Sequence, residues 1–204
     1  MTIALIDYGA GNLRSVHNAL NAAGAQGVAV TADADLVRRA ERIVLPGVGA
    51  FRACIEPLRA IPGMIAALRA AVLEEGTPFL GICVGMQLLA ERGEEFGTHE
   101  GLGWIGGTVR RIERADPAIK VPHMGWNDVI PRGRHALIEP GEAYFLHSYH
   151  FDVVAAGDVV AHTDHGGPLV AAVGRGNILG VQFHPEKSQA YGLAFLDRFL
   201  RWQP

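Results

Sequence analysis

The segment Gly81-Ile82-Cys83-Val84-Gly85 follows an apolar run, Thr77-Pro78-Phe79-Leu80, and leads into a helix-like stretch, Met86-Gln87-Leu88-Leu89-Ala90. It is the cysteine form of the G-x-S-x-G nucleophile elbow, which requires a strand to turn sharply into a helix with the nucleophile at the apex. Glycine is needed two residues to either side because side chains there would collide across the turn. The turn pushes the sulfur out of the backbone at a helix N-terminus, where the helix dipole favours the thiolate, the reactive form. Alone, such a string is also compatible with a small buried cysteine used for packing.

A second motif decides between these readings. Gly180-Val181-Gln182-Phe183 reads as a strand that runs into His184-Pro185-Glu186. Proline biases the preceding residue toward extended conformation, and in extended chain residues two apart face the same way. His184 and Glu186 can therefore lie side by side, with the carboxylate on the imidazole. Cys83, His184 and Glu186 then supply nucleophile, base and orienter.

The rest of the first half alternates strand and helix signals. Ile3–Ile6 is a short buried strand, followed by helical spacing over Leu13–Ala23 that Gly24 stops. Gly27–Val30 is a strand, Ala34–Ala40 a short helix capped by Asp33, and Ile43–Leu45 a third strand ended by Pro46-Gly47-Val48-Gly49. Met64–Leu73 is a helix, and Phe79–Ile82 is the strand feeding the elbow. This order argues for a parallel sheet with helices on both faces. The second half is richer in strands: Thr108–Ile112, Tyr144–Leu146, Phe151–Val154, Val159–His162, Leu169–Val173 and Ile178–Phe183 read as antiparallel or mixed. An amphipathic helix over Ala190–Trp202 closes the chain. The fold class expected is therefore α/β: one domain over 1–204, with a mostly parallel, twisted central sheet flanked by helices and additional antiparallel strands in the second half.

Composition narrows the function classes. The chain has 204 residues and a formal net charge of −3, which carries no nucleic-acid or anionic-membrane footprint. Two cysteines, Cys54 and Cys83, make no disulfide framework, and Cys54 reads as helix packing. Thr2–Asp7 reads as a first strand rather than a signal peptide, and no apolar run reaches membrane-spanning length. A cytoplasmic enzyme is expected. His99, His123, His135, His147, His150, His162 and His165 show no tight ligand spacing, so no metal and no cofactor is expected. Pro46-Gly47-Val48-Gly49 should lie at the carboxyl edge of the sheet, where open α/β sheets place their sites. It is either a plain tight turn or, with the N–H of Val84, a source of donors for an oxyanion.

Taken together, Gly81–Gln87 and His184-Pro185-Glu186 resemble the class I (triad) glutamine amidotransferases. Asp7-Tyr8-Gly9-Ala10-Gly11-Asn12-Leu13, Pro46–Gly49, Lys120–Asn127 and Tyr144–Tyr149 extend the likeness nearly end to end. Within that family they resemble the glutaminase subunits of imidazole glycerol phosphate synthases. Val84 stands where such enzymes often carry leucine. The resemblance implies that Cys83 attacks the carboxamide of glutamine, with backbone N–H groups near Val48, Gly49 and Val84 holding the oxyanion. It also implies that Gln87 and Glu95 hold the glutamine head group with Ser148 and Tyr149 in support. A separate cyclase subunit, resembling a (β/α)₈ barrel, would form a heterodimer with the chain and receive the ammonia. Met124 and Trp126 would be its apolar anchors, or else core packing, and Lys187 would meet it at the rim of the site. Two other readings stay open at this point: a peptidase-like cysteine hydrolase of similar fold, and a binding subunit that keeps the fold without chemistry.

Overall fold

The computed structural model describes residues 1–113 and 118–204. Its strands are β1 (Ile3–Ile6), β2 (Val28–Thr31), β3 (Arg42–Gly47), β4 (Phe79–Cys83), β5 (Arg92–Gly93), β6 (His99–Glu100) and β7 (Gly107–Arg111). They continue with β8 (His123–Pro131), β9 (Gly141–His147), β10 (Tyr149–Val153), β11 (Val159–Asp164), β12 (Pro168–Arg175) and β13 (Ile178–Val181). The α-helices are α1 (Leu13–Ala22), α2 (Ala34–Arg39), α3 (Phe51–Ala60), α4 (Met64–Arg69), α5 (Val84–Gln87) and α6 (Gln189–Arg201).

Among the described residues, one sheet runs β2-β1-β3-β4-β13-β12-β11-β8-β9. Its first five strands pair in parallel and the rest antiparallel. Hydrophobicity explains the division. β1, β3, β4 and β13 are buried along their whole length, as strands covered on both faces must be. A second sheet, β10-β7-β5-β6, is separate from the first; the expected strands over 108–112 and 151–154 belong to it rather than to the central sheet. Helices flank the large sheet, α1 against α6 and α2 against α4. Asp33 caps α2 as expected, accepting from the N–H of Asp35 and Leu36. No helix among the described residues is long and apolar enough to cross a membrane.

Three local expectations need correction. The helix expected over 64–73 is α-helical only to Arg69 and widens into a π segment, Ala70–Glu74. There the Asn177 amide donates to the Val72 carbonyl at 2.8 Å and competes with the helical ladder. The helix after the elbow is a single turn, Val84–Gln87, not the longer stretch from Met86. One turn sums few peptide dipoles, so the helix-dipole argument for the thiolate carries little weight. Finally, Pro46 and Gly47 do not end β3 but continue it, paired with Ile82 and Cys83. Proline is tolerated there because the ladder to β1 stops at Leu5↔Val44, before Pro46. On that side its carbonyl accepts instead from the Tyr8 hydroxyl at 2.6 Å.

Candidate active site

β3, β4 and β13 lie side by side, and their carboxyl ends deliver Gly47, Cys83 and the approach to His184 to one edge of the sheet. Cys83 sits at the elbow with φ 55 and ψ −111, a strained backbone for a side-chain-bearing residue. A Cβ on Gly85 would come within 1.9 Å of the Leu45 carbonyl, and one on Gly81 within 2.6 Å of the Gly85 carbonyl. Both expected glycines are thus required. Gly85 is required by the neighbouring strand, however, and not only by the turn itself. The sulfur is less open than the elbow motif suggested: Cys83 is only 4% exposed and lies in the wall of a cavity of about 530 Å³.

His184 is placed by its backbone. Its N–H donates to the Tyr144 carbonyl on β9 at 2.9 Å. Ser188 clasps the same junction, donating its hydroxyl to the His184 carbonyl at 2.6 Å and accepting from Tyr144 N–H at 3.0 Å. The imidazole Nδ1 meets Glu186 Oε1 at 2.8 Å, with both side chains buried. That leaves Nε2 for the Cys83 sulfur. The contact is as expected but its local geometry is not. Only His184 is extended, and Glu186 lies in a short 3₁₀ turn, Pro185–Lys187, which swings the carboxylate back under the ring. Burial alone would pull the His184 pKa down, but hydrogen bonds to Cys83 and Glu186 and their charges outweigh it and hold the imidazolium.

The Pro46–Gly49 segment is tied at two carbonyls, Pro46 by Tyr8 and Val48 by the Cys54 thiol at 3.4 Å. Burial pushes the Cys54 thiol up to about 11, so it remains an S–H donor. In a trans peptide the N–H points opposite to the C=O. With the Val48 carbonyl turned inward onto buried Cys54, the Gly49 N–H faces away from it. Gly49 and Val48 line the cavity with Cys83 and Val84. Gln87, Glu95, Ser148, Tyr149 and Lys187 line it too. Glu95 is steadied by the α3 N-terminus, accepting from Phe51 N–H at 2.8 Å. Met124 and Trp126 lie outside the cavity, on β8, and are 65% and 47% exposed. They are surface residues and not core packing.

A family model described as "Glutamine amidotransferase class-I" matches residues 4–201. The chain belongs to the class-I glutamine amidotransferase family. The protein named "Imidazole glycerol phosphate synthase subunit HisH" from Zymomonas mobilis is 61% identical to it, covering 100% of this chain and 97% of that one. Its namesake from Rhodospirillum rubrum is 54% identical over the full length of both. A solved structure titled "Crystal structure of glutamine amidotransferase" superposes with a TM-score of 0.74 at 20% identity, covering 98% of this chain and 99% of that one. That likeness speaks for the amidotransferase fold alone.

Sequence reasoning missed several residues around this amidotransferase site. Asn12, Pro122, Leu146 and His147 also line the cavity, and Gln182 stands beside the sulfur. His147 belongs to a buried chain whose proton positions follow from its partners. The Tyr149 carbonyl can only accept, so His147 Nδ1 donates to it at 2.9 Å. His147 Nε2 therefore accepts from His123 Nδ1 at 2.9 Å, and His123 Nε2 accepts from the Asn127 amide at 3.0 Å. Neither imidazole can take a second proton without losing a bond. Burial is the main cause that lowers them, His147 to about 3 and His123 to about 4. The unfolded imidazole titrates near 6.5, so this stability is fully present above about pH 6.5 and is lost as pH falls toward 4. Raised His184 works in the opposite sense. Burial lowers His135, His150 and His162 as well, so the lowered groups outnumber the raised one and stability falls between pH 7.5 and pH 5. Urea midpoints at pH 7.5 and pH 5 measure it, and equal midpoints would contradict the neutral-histidine assignment.

Proposed function

We propose that this chain is the glutaminase subunit of an imidazole glycerol phosphate synthase, acting in the cytoplasm. It hydrolyses glutamine to glutamate and ammonia and passes the ammonia to a cyclase subunit, which makes imidazole glycerol phosphate and AICAR in histidine biosynthesis. The observation that carries this reading is the placement of Cys83 and His184 in the wall of one cavity, with Glu186 buried against His184, within a chain 61% identical end to end to a synthase subunit.

The chemistry runs through the residues as follows. The Cys83 thiolate attacks the side-chain carbonyl carbon of glutamine. The oxyanion is received by backbone N–H groups of Val48, Gly49 and Val84; Val84 opens α5, where the first N–H groups lack intrahelical partners. His184 Nε2 gives its proton to the departing nitrogen, the C–N bond breaks, and ammonia leaves behind a γ-glutamyl thioester. The now neutral imidazole takes a proton from water, which attacks the thioester. Glutamate departs and the sulfur is restored as thiolate beside imidazolium. Glu186 keeps Nδ1 protonated and the ring aligned throughout. Both hydrogens of Gln87 Nε2 are engaged inside the protein, by Tyr149 O and Gln182 Oε1. Gln87 therefore meets substrate through its oxygen. Gln87 and Glu95 thus offer acceptors to the α-ammonium, and Ser148 and Tyr149 bring donors for the α-carboxylate.

Met124 and Trp126 anchor the cyclase, resembling a (β/α)₈ barrel, in a heterodimer. Met124 pairs across strands with exposed Leu146, and Trp126 packs edge-on against Tyr144 with ring centroids 6.3 Å apart. Exposed aromatic and methionine side chains on one strand pair favour an interface. This face is close to the chemistry, since the Tyr144 carbonyl holds His184 N–H and the Lys187 ammonium stands 5.7 Å from the Tyr144 ring centroid. Lys187 meets an acidic residue of the partner at the cavity mouth. Lys187→Ala is expected to impair glutamine-dependent synthesis by the complex severalfold or more and to spare synthesis from added ammonium. Equal loss with both nitrogen sources, or no loss, would count against that role.

The reading as a whole is tested by ammonia release from glutamine, with and without the cyclase subunit and its nucleotide substrate. The subunit alone is expected to be slow, and partner plus nucleotide to raise turnover by shifting the oxyanion segment toward its productive arrangement. Rapid hydrolysis indifferent to any partner would favour a free-standing hydrolase.

A further inference from the structure

Gln182 lies two residues before His184, just past the end of β13. It is fully buried, and both ends of its amide touch the site. Oε1 accepts from Gln87 Nε2 at 2.9 Å, and Nε2 lies 3.7 Å from Cys83 Sγ. This orientation is forced. The Tyr149 carbonyl can only accept, so the end of Gln87 that meets it at 3.1 Å is the NH₂ group. The other hydrogen of that nitrogen points at Gln182, which must answer with its oxygen. The NH₂ of Gln182 is thereby turned onto the sulfur. Tyr149 O is itself the end of the donor chain from Asn127 through His123 and His147, so the arrangement is anchored from β8 inward.

We propose that Gln182 is a second donor to the Cys83 thiolate, locked in its donating orientation by Gln87, opposite in role to the imidazolium of His184. This rests on Cys83 being the nucleophile. A thiolate that is 4% exposed has little water to solvate it, and a buried sulfur without donors stays protonated. His184 supplies one N–H but must surrender that proton to the leaving ammonia. Gln182 cannot lose a proton, so it steadies the sulfur through the whole cycle, including the step in which the thiolate is expelled from the thioester.

The readout is the pH midpoint rather than the rate at one pH. Stabilising a thiolate raises its population but lowers its intrinsic nucleophilicity by about half as much on a logarithmic scale, so rates partly conceal the effect. In the folded protein, with alkylation by iodoacetamide followed at the Cys83 peptide, Gln182→Met should move the midpoint up by about one pH unit. An unmoved midpoint in a folded Gln182→Met protein overturns the proposal. A parent Cys83 that resists alkylation while glutamine is hydrolysed overturns the nucleophile assignment and this proposal with it. The parent protein provides a second test, because the Gln182→Met change strands a Gln87 N–H and could unfold the chain. The Gln182 side-chain NH₂ resonance should titrate along the same curve as Cys83 alkylation. A resonance that stays still across that range overturns the proposal even if no variant folds.

Discussion

Cys83→Ala is expected to abolish glutamine hydrolysis, by at least about 10⁴-fold, and to leave the chain folded. The size follows from the role: Cys83 brings the one thiol among the described residues that line the cavity. Cys54, the other thiol, is fully buried and spends its hydrogen on the Val48 carbonyl. Retention of the fold follows from the elbow. Alanine tolerates φ 55 no worse than cysteine does, because both carry a Cβ and neither is branched. The lost sulfur borders an existing cavity and leaves no new void sealed in the core. Thermal unfolding and ammonia release on the same preparation measure both halves. Activity near the parent level would remove the triad assignment altogether.

Glu186→Gln is expected to lower glutamine hydrolysis by about 10–10³-fold. The matching acid-to-amide change in a serine triad costs about 10⁴, and a thiolate depends less on its base than a hydroxyl does. Glu186 is nevertheless buried against His184 at 2.8 Å, and its charge is among the causes that hold the imidazolium against burial. With a neutral amide in its place, Cys83 alone is left to offset desolvation, and the imidazole gives up its proton at lower pH. The alkaline limb of kcat/KM, where the acid form of His184 is lost, should therefore move down in pH. Glu186 Oε2 is buried with no partner among the described residues, so the new NH₂ group also finds no acceptor there. A stability loss of about 1–3 kcal/mol accompanies the change. An unaltered rate of thioester formation and an unaltered alkaline limb would reduce Glu186 to a buried acid with no part in the reaction.

The two catalytic motifs were legible because each is a local steric or covalent necessity. Gly81 and Gly85 stand where a Cβ would strike backbone, and His184-Pro185-Glu186 places acid and base two residues apart. β1, β3 and β4 were legible because parallel strands covered on both faces are buried along their whole length. β8 was missed for the opposite reason. Its apolar side chains Met124, Trp126 and Ile130 point to solvent while His123 is buried, the reverse of the alternation that marks a half-buried strand. This inversion is what an interface strand requires, so the same property that hid the element points to its use. Gln182 was invisible in a different way. Its meaning lies in which end of an amide faces the sulfur, and that depends on Tyr149 and Gln87, residues distant in sequence and adjacent only in the fold. The single turn of α5 and the 3₁₀ placement of Glu186 were likewise set by packing against β3 and β9 rather than by local propensity.

The central claim is that Cys83 carries the glutamyl group. Acid-quenching the protein during turnover of radiolabelled glutamine, then digesting it, tests this directly. Label should remain on the peptide that contains Cys83, be released by neutral hydroxylamine as a thioester would be, and be absent from Cys83→Ala. Hydrolysis that proceeds with no label on that peptide, or label that persists in Cys83→Ala, would contradict it.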